Sequence, residues 1–120
     1  MNILAVFIGG GLGSLCRYAI SLWLGKTEAG FPLATLVANI LACIVLALGF
    51  ILLERNIEMS KPMKLFVLTG FCGGFSTFST FSMETYLLLM EGNWPMALLY
   101  VGLSILSCLL IIGLLFYFFS

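Results

Sequence analysis

Gly70-Phe71-Cys72-Gly73-Gly74-Phe75-Ser76-Thr77-Phe78-Ser79-Thr80-Phe81-Ser82 lies inside a long apolar span, yet it holds three glycines, five Ser or Thr residues and four phenylalanines. Glycine loses the most backbone entropy when fixed in a helix, and Ser and Thr offer the backbone competing hydrogen bonds. The polar residues at 76, 77, 79, 80 and 82 fall on every side of a 3.6-residue helix, so they form no single polar face. This pattern predicts an unwound turn within a membrane span. Free N–H and C=O groups at that depth persist only where protein buries them or where they line a watery cavity, which makes the turn a candidate ion site.

The rest of the chain supports a membrane reading. Of its 120 residues 62% are hydrophobic and 8% charged, with a mean hydropathy of +1.23, more apolar surface than a soluble domain of this size can hide. Apolar spans at about 3–24, 32–53, 65–90 and 95–119 each approach or exceed the ~20 residues needed to cross a bilayer. The third span, 26 residues or roughly 39 Å as a straight helix, exceeds a hydrocarbon core of about 30 Å. Composition favours a break over tilt. The first span lacks a basic leader and a cleavage site, and reads as retained. Pro32 marks the start of the second span, Ser60 with Pro62 the start of the third, and Asn93 caps the fourth with Trp94 at headgroup depth.

Composition also excludes several functions. Five basic and five acidic residues give zero net charge, so no basic patch exists for nucleic acid, and the absence of histidine removes His-ligated haem or zinc. Cys16, Cys43, Cys72 and Cys108 lie in apolar spans without metal-type spacing and read as small buried hydrophobes. No nucleophile stands in sequence with a base, so the chain does not read as an enzyme. Four spans put both termini and the central loop on one side. Arg55, Lys61 and Lys64 lie there, against Lys26 and Arg17 nearer the other. That bias of three to two is compatible with one weak topology or with insertion both ways, and hence with an antiparallel homodimer.

Several embedded residues are able to carry chemistry. Arg17 continues the stripe of Gly9 and Gly13; it either snorkels or draws anions to a pore mouth. Asn39, with Thr35 one turn earlier, is interhelical glue or a neutral donor that replaces part of an anion's hydration. Glu84 is either a proton or cation site or the point where the span nears water. Tyr100, Ser104, Ser107 and Cys108 share one stripe of the last span. Phe75, Phe78 and Phe81 recur every three residues; they are lipid-facing or core aromatics, or they present positive ring edges to an anion.

Taken together, these motifs resemble the Fluc (CrcB) family of fluoride channels. The resemblance covers almost the whole chain, and it rests most on the run from Gly70, with Gly13 to Tyr18 and Asn39 in support. It implies an all-α membrane protein: residues 1–120 as one four-span channel domain, the third helix broken mid-membrane, assembled as an antiparallel dual-topology homodimer with two pores. The implied function is passive, selective fluoride export across the bacterial inner membrane, with fluoride, lipid and a second copy as partners. It further implies a central structural sodium ion held by main-chain carbonyls, here those of Gly73 and Ser76. Phe78 and Phe81 match the ring-edge pair, Asn39 the pore asparagine, Tyr100 and Ser104 the fourth-span pore side, and Thr35, Ser79 and Thr80 a hydroxyl track. Glu84 matches a carboxylate near the ion path, and Arg17 the vestibule arginine. Ser76 stands where many members have Thr, and Cys108 where a hydroxyl is expected. Two other readings fit a four-span chain of this length. A small multidrug-type proton antiporter needs a carboxylate in the first span, where this chain has Arg17; an assembly subunit would use the third-span motif only for packing.

Overall fold

The computed structural model describes residues 1–25, 27, 30–55 and 58–120. Lys26 and Glu28 of the first connection and Asn56 and Ile57 of the second lie outside the described residues. The described residues fold as α1 (Asn2–Leu24), α2 (Leu33–Glu54), α3 (residues 61–75), α4 (Phe78–Met90) and α5 (Trp94–Phe119). With α3 and α4 counted as one stretch, Lys61–Met90, four helical spans are long and apolar enough to cross a membrane, and Lys61–Met90 is the least apolar of them. Their outer surfaces carry many exposed large apolar side chains, as a lipid solvent allows.

The element boundaries follow from local chemistry. The third span begins at Lys61 rather than at residue 65, because the Ser60 hydroxyl accepts the Met63 N–H at 3.3 Å and Pro62 sits in the first turn. Pro32 lies just outside α2 rather than within it. The Leu33 N–H donates to the Phe31 carbonyl, and this tight turn closes before the helix begins. Asn93 caps α5 by accepting the Met96 N–H, after a connection in which Gly92 takes φ 77°. The ends of α2 and α5 meet: the Arg55 guanidinium donates to the Phe119 carbonyl, and the Ser120 hydroxyl to the Glu54 carboxylate. The central connection and the C-terminus therefore lie at the same end of the bundle.

Two features shape the middle. Leu65–Phe71 widens to i→i+5 hydrogen bonding between the ordinary α turns Lys61–Lys64 and Cys72–Phe75. Ser76 (φ −80°, ψ 156°) and Thr77 (φ −151°, ψ 120°) are then extended, and α4 starts at Phe78. Alongside, α1 presses on α3 through glycine. A methyl group on Gly9 or Gly13 would strike the carbonyls of Phe66 and Phe71, and one on Gly74 would strike the Gly10 backbone. The two backbones approach closely because small residues meet on both sides. On the far side, Tyr100, fully buried, packs with Leu36, Leu88 and Ala97, while Ala38, Ala42 and Phe75 form a second cluster between α2 and α3.

This contact yields a direct test. Gly13→Ala is expected to cost about 1–3 kcal/mol, as overpacking does, and to lower the thermal unfolding midpoint in detergent. Gly11→Ala, where the added methyl meets nothing, is expected to leave it unchanged or slightly higher.

Candidate ion pathway

The site is built around the two extended residues. In a continuous α-helix the Thr77 N–H would donate to Gly73 and the Thr80 N–H to Ser76. Here both donors are diverted. The Thr77 N–H donates to Asn39 Oδ1 at 2.8 Å, and the Thr80 N–H to the Thr77 hydroxyl at 3.1 Å. Asn39 Nδ2 also reaches the Thr77 carbonyl at 3.4 Å, so one α2 side chain pairs with both main-chain groups of one residue. The Gly73 and Ser76 carbonyls thus lose their ladder donors, and Gly73 is exposed.

Two neighbouring carbonyls, those of Cys72 and Gly74, have partners. Cys72 accepts both the backbone N–H and the hydroxyl of Ser76, at 3.0 and 2.8 Å. Gly74 accepts Arg17 Nε at 3.2 Å. Arg17 therefore turns inward onto a main-chain oxygen at the end of α3, where the carbonyl ends of a helix favour a cation, rather than reaching out to the headgroups.

A cavity of about 390 Å³ opens beside the extended residues, with Asn39, Ser76, Phe78, Phe81 and Ser104 in its wall. The Ser104 hydroxyl is buried with no hydrogen-bond partner among the described residues. In an apolar surround such a group is costly unless something else meets it. Ser107, three residues on, is satisfied by the Leu103 carbonyl. The ring centroids of Phe78 and Phe81 are 5.8 Å apart, and those of Phe81 and Tyr100 5.1 Å. Phe81 is half-buried, whereas Phe78 is 79% exposed.

The remaining candidates fall elsewhere. Arg17, Thr35 and Thr80 line a second cavity of about 330 Å³ between α1, α2 and α4. The Tyr100 hydroxyl donates to Glu84 Oε1 at 3.1 Å, tying α5 to α4 under the Phe31 and Phe81 rings. The Ser79 hydroxyl pairs with that of Thr77 at 3.2 Å, within the cap of α4. Asn39, Phe78, Phe81 and Ser104 thus share one cavity and Arg17, Thr35 and Thr80 the other, while Ser79, Glu84 and Tyr100 line neither. Sequence reading missed Thr77, whose backbone and hydroxyl organise the turn; the signal was a Thr three residues before Thr80, an N-cap spacing. It also missed the Tyr100 partner of Glu84, which no spacing along the chain reveals.

What the arrangement offers an ion is neutral chemistry: a hydroxyl and ring surfaces in one place, carbonyls released from a helix, those of Gly73 and Ser76 among them, in another. Among the described residues no cluster of three or more His, Cys, Asp or Glu stands ready to hold a metal.

The sequence model of the family described as "CrcB-like protein, Camphor Resistance (CrcB)" matches residues 4–115. Proteins named "Fluoride-specific ion channel FluC" from Escherichia coli O139:H28 (strain E24377A / ETEC), Salmonella arizonae and Shigella boydii serotype 18 are each 41% identical over 118 residues. That alignment covers 98% of this chain and 93% of each relative.

The Asn39 pairing is testable without any flux measurement. Asn39→Ala leaves the Thr77 N–H unpaired and is expected to destabilise the folded protein by about 1–3 kcal/mol, read as a lowered unfolding midpoint.

Proposed function

We propose that this chain, which belongs to the CrcB family, is a fluoride-specific ion channel: a multi-pass membrane protein that lets the anion cross passively. The observation that carries this reading is the unpartnered, buried Ser104 hydroxyl in the wall of a cavity shared with Phe78, Phe81 and Asn39. A small anion gives up its water only where other donors replace it. It leaves again only if none of them is a fixed cation that holds it. The hydroxyl supplies a donor, and ring edges supply a positive electrostatic surface without charge. The names of its relatives support the choice of anion.

The finer reading extends this to an assembly. Two inverted copies of the chain pack α3–α4 against α3–α4, giving two pores, one along each cavity that holds a Ser104. The exposure of Phe78 and Gly73 in one chain supports this, since a second copy would cover them. The Gly73 and Ser76 carbonyls fit a sodium ion. They are uncharged oxygens released from the helical ladder, the donor type that hard monovalent cations take from unwound membrane helices. Held by those carbonyls, a sodium ion would supply a positive charge to offset their dipoles. Asn39 holds the extended residues open, Arg17 steadies the end of α3 and raises anion concentration near its cavity, and Thr35 and Thr80 line the approach. Glu84 fixes the Tyr100 phenol beside Phe81. With an inside-negative potential, worth about 2.3 kcal/mol per charge per 100 mV, net flow of the anion through such a pore is outward and lowers cytoplasmic fluoride.

Reconstituted protein is expected to release fluoride from liposomes with no proton gradient, and chloride at least 100-fold more slowly. Equal rates for the two ions, or no fluoride release, would end the proposal. Ser104→Ala removes a hydroxyl that bonds to no described residue, so its unfolding midpoint is expected to hold while fluoride flux falls tenfold or more. Phe81→Ile is expected to lower flux by a similar factor, with the dimer intact by crosslinking across α4.

A further inference from the structure

Cys43 lies one turn beyond Asn39 on α2, and Cys108 one turn beyond Ser104 on α5; the two helices pack side by side. Both cysteines line the 390 Å³ cavity, with Ile105 and Leu109 beside them. Both are half-buried free thiols. Thiols from two adjacent helices therefore line one apolar end of the same cavity.

Two thiols in apolar surroundings are a soft donor set. Calcium or magnesium would need a shell of oxygens, and a tetrahedral zinc site would need further ligands that no cluster of described residues provides. What two sulfurs satisfy is a linear, two-coordinate thiophilic ion. Charge selects further. A divalent ion with two thiolates is neutral, whereas a monovalent ion would leave a net negative charge in the bilayer, at high desolvation cost. We propose that Cys43 and Cys108 together form a binding site for a soft divalent cation of the mercuric type, at the end of the cavity that Ser104 lines. Binding forms two metal–sulfur bonds and releases one proton from each thiol, with no change in oxidation state.

The test uses mercuric chloride on purified full-length protein in detergent, with Cys16→Ala and Cys72→Ala removing the other thiols. One mercuric ion per chain is expected to survive gel filtration against a competing monothiol, and either Cys43→Ser or Cys108→Ser is expected to weaken retention at least 100-fold. If the alanine background folds poorly, the same contrast is read in the wild-type chain as the loss of one tightly held ion per chain. Retention equal to the parent in either serine variant, or one ion per two chains, overturns the proposal. Block of fluoride release by the ion, reversed by excess dithiol, is the second readout, and it rests on the channel reading above. Tight binding without block counts against this cavity as the fluoride path and leaves the thiol site standing; absence of binding removes the site whatever the flux.

Discussion

The structure depends on one constraint: main-chain N–H and C=O groups in a bilayer must find partners inside the protein. The extended Ser76 and Thr77 violate the helical solution to that constraint, and two side chains repair most of the damage. Asn39 meets both main-chain groups of Thr77 from a neighbouring helix, and the Thr77 hydroxyl caps the helix that follows. The repair is selective. It pairs the Thr77 and Thr80 N–H groups and leaves the Gly73, Phe75 and Ser76 carbonyls without their ladder donors, while the hydroxyl left over at Ser104 lies across the cavity. Electrostatic character of both signs arises here without any ionised group.

The glycines make that turn reachable. Only because α1 and α3 approach backbone to backbone does Arg17, one turn past Gly13, come within 3.2 Å of the Gly74 carbonyl. With bulkier residues at the contact, α1 would stand off and Arg17 would have no main-chain oxygen to meet. Packing and electrostatics at the end of α3 are therefore not separable. The small residues set the distance at which the charge acts.

Much of this was legible in the sequence. The four spans follow from apolar run length, and the caps at Ser60 and Asn93 from their residue types and the prolines nearby. Phe78, Phe81, Asn39 and Ser104 were singled out, and they line one cavity. What stayed hidden depends on contact across helices or on hydrogen-bond bookkeeping. Composition does not register the i→i+5 stretch of Leu65–Phe71, because Leu, Phe and Val suit either helix. The choice for Asn39 between glue and free donor required seeing that Thr77 occupies both ends of its amide. Ser79 looked like part of a hydroxyl track, but its position two residues after Thr77 makes local capping cheaper than reaching across the bundle.

The least apolar of the four spans also meets α1 through glycine, and that bears on how the chain enters the membrane. Glycine, serine and threonine weaken the partitioning of residues 61–90 into lipid, so on its own this segment is the poorest candidate for insertion. α1 and α2 precede it in the chain and are synthesised first. The glycine face of α1 offers the later segment a docking strip, and Asn39 on α2 offers a ready partner for the Thr77 N–H, which would otherwise enter hydrocarbon bare. Order of synthesis thus provides the polar turn with its solvent before it arrives.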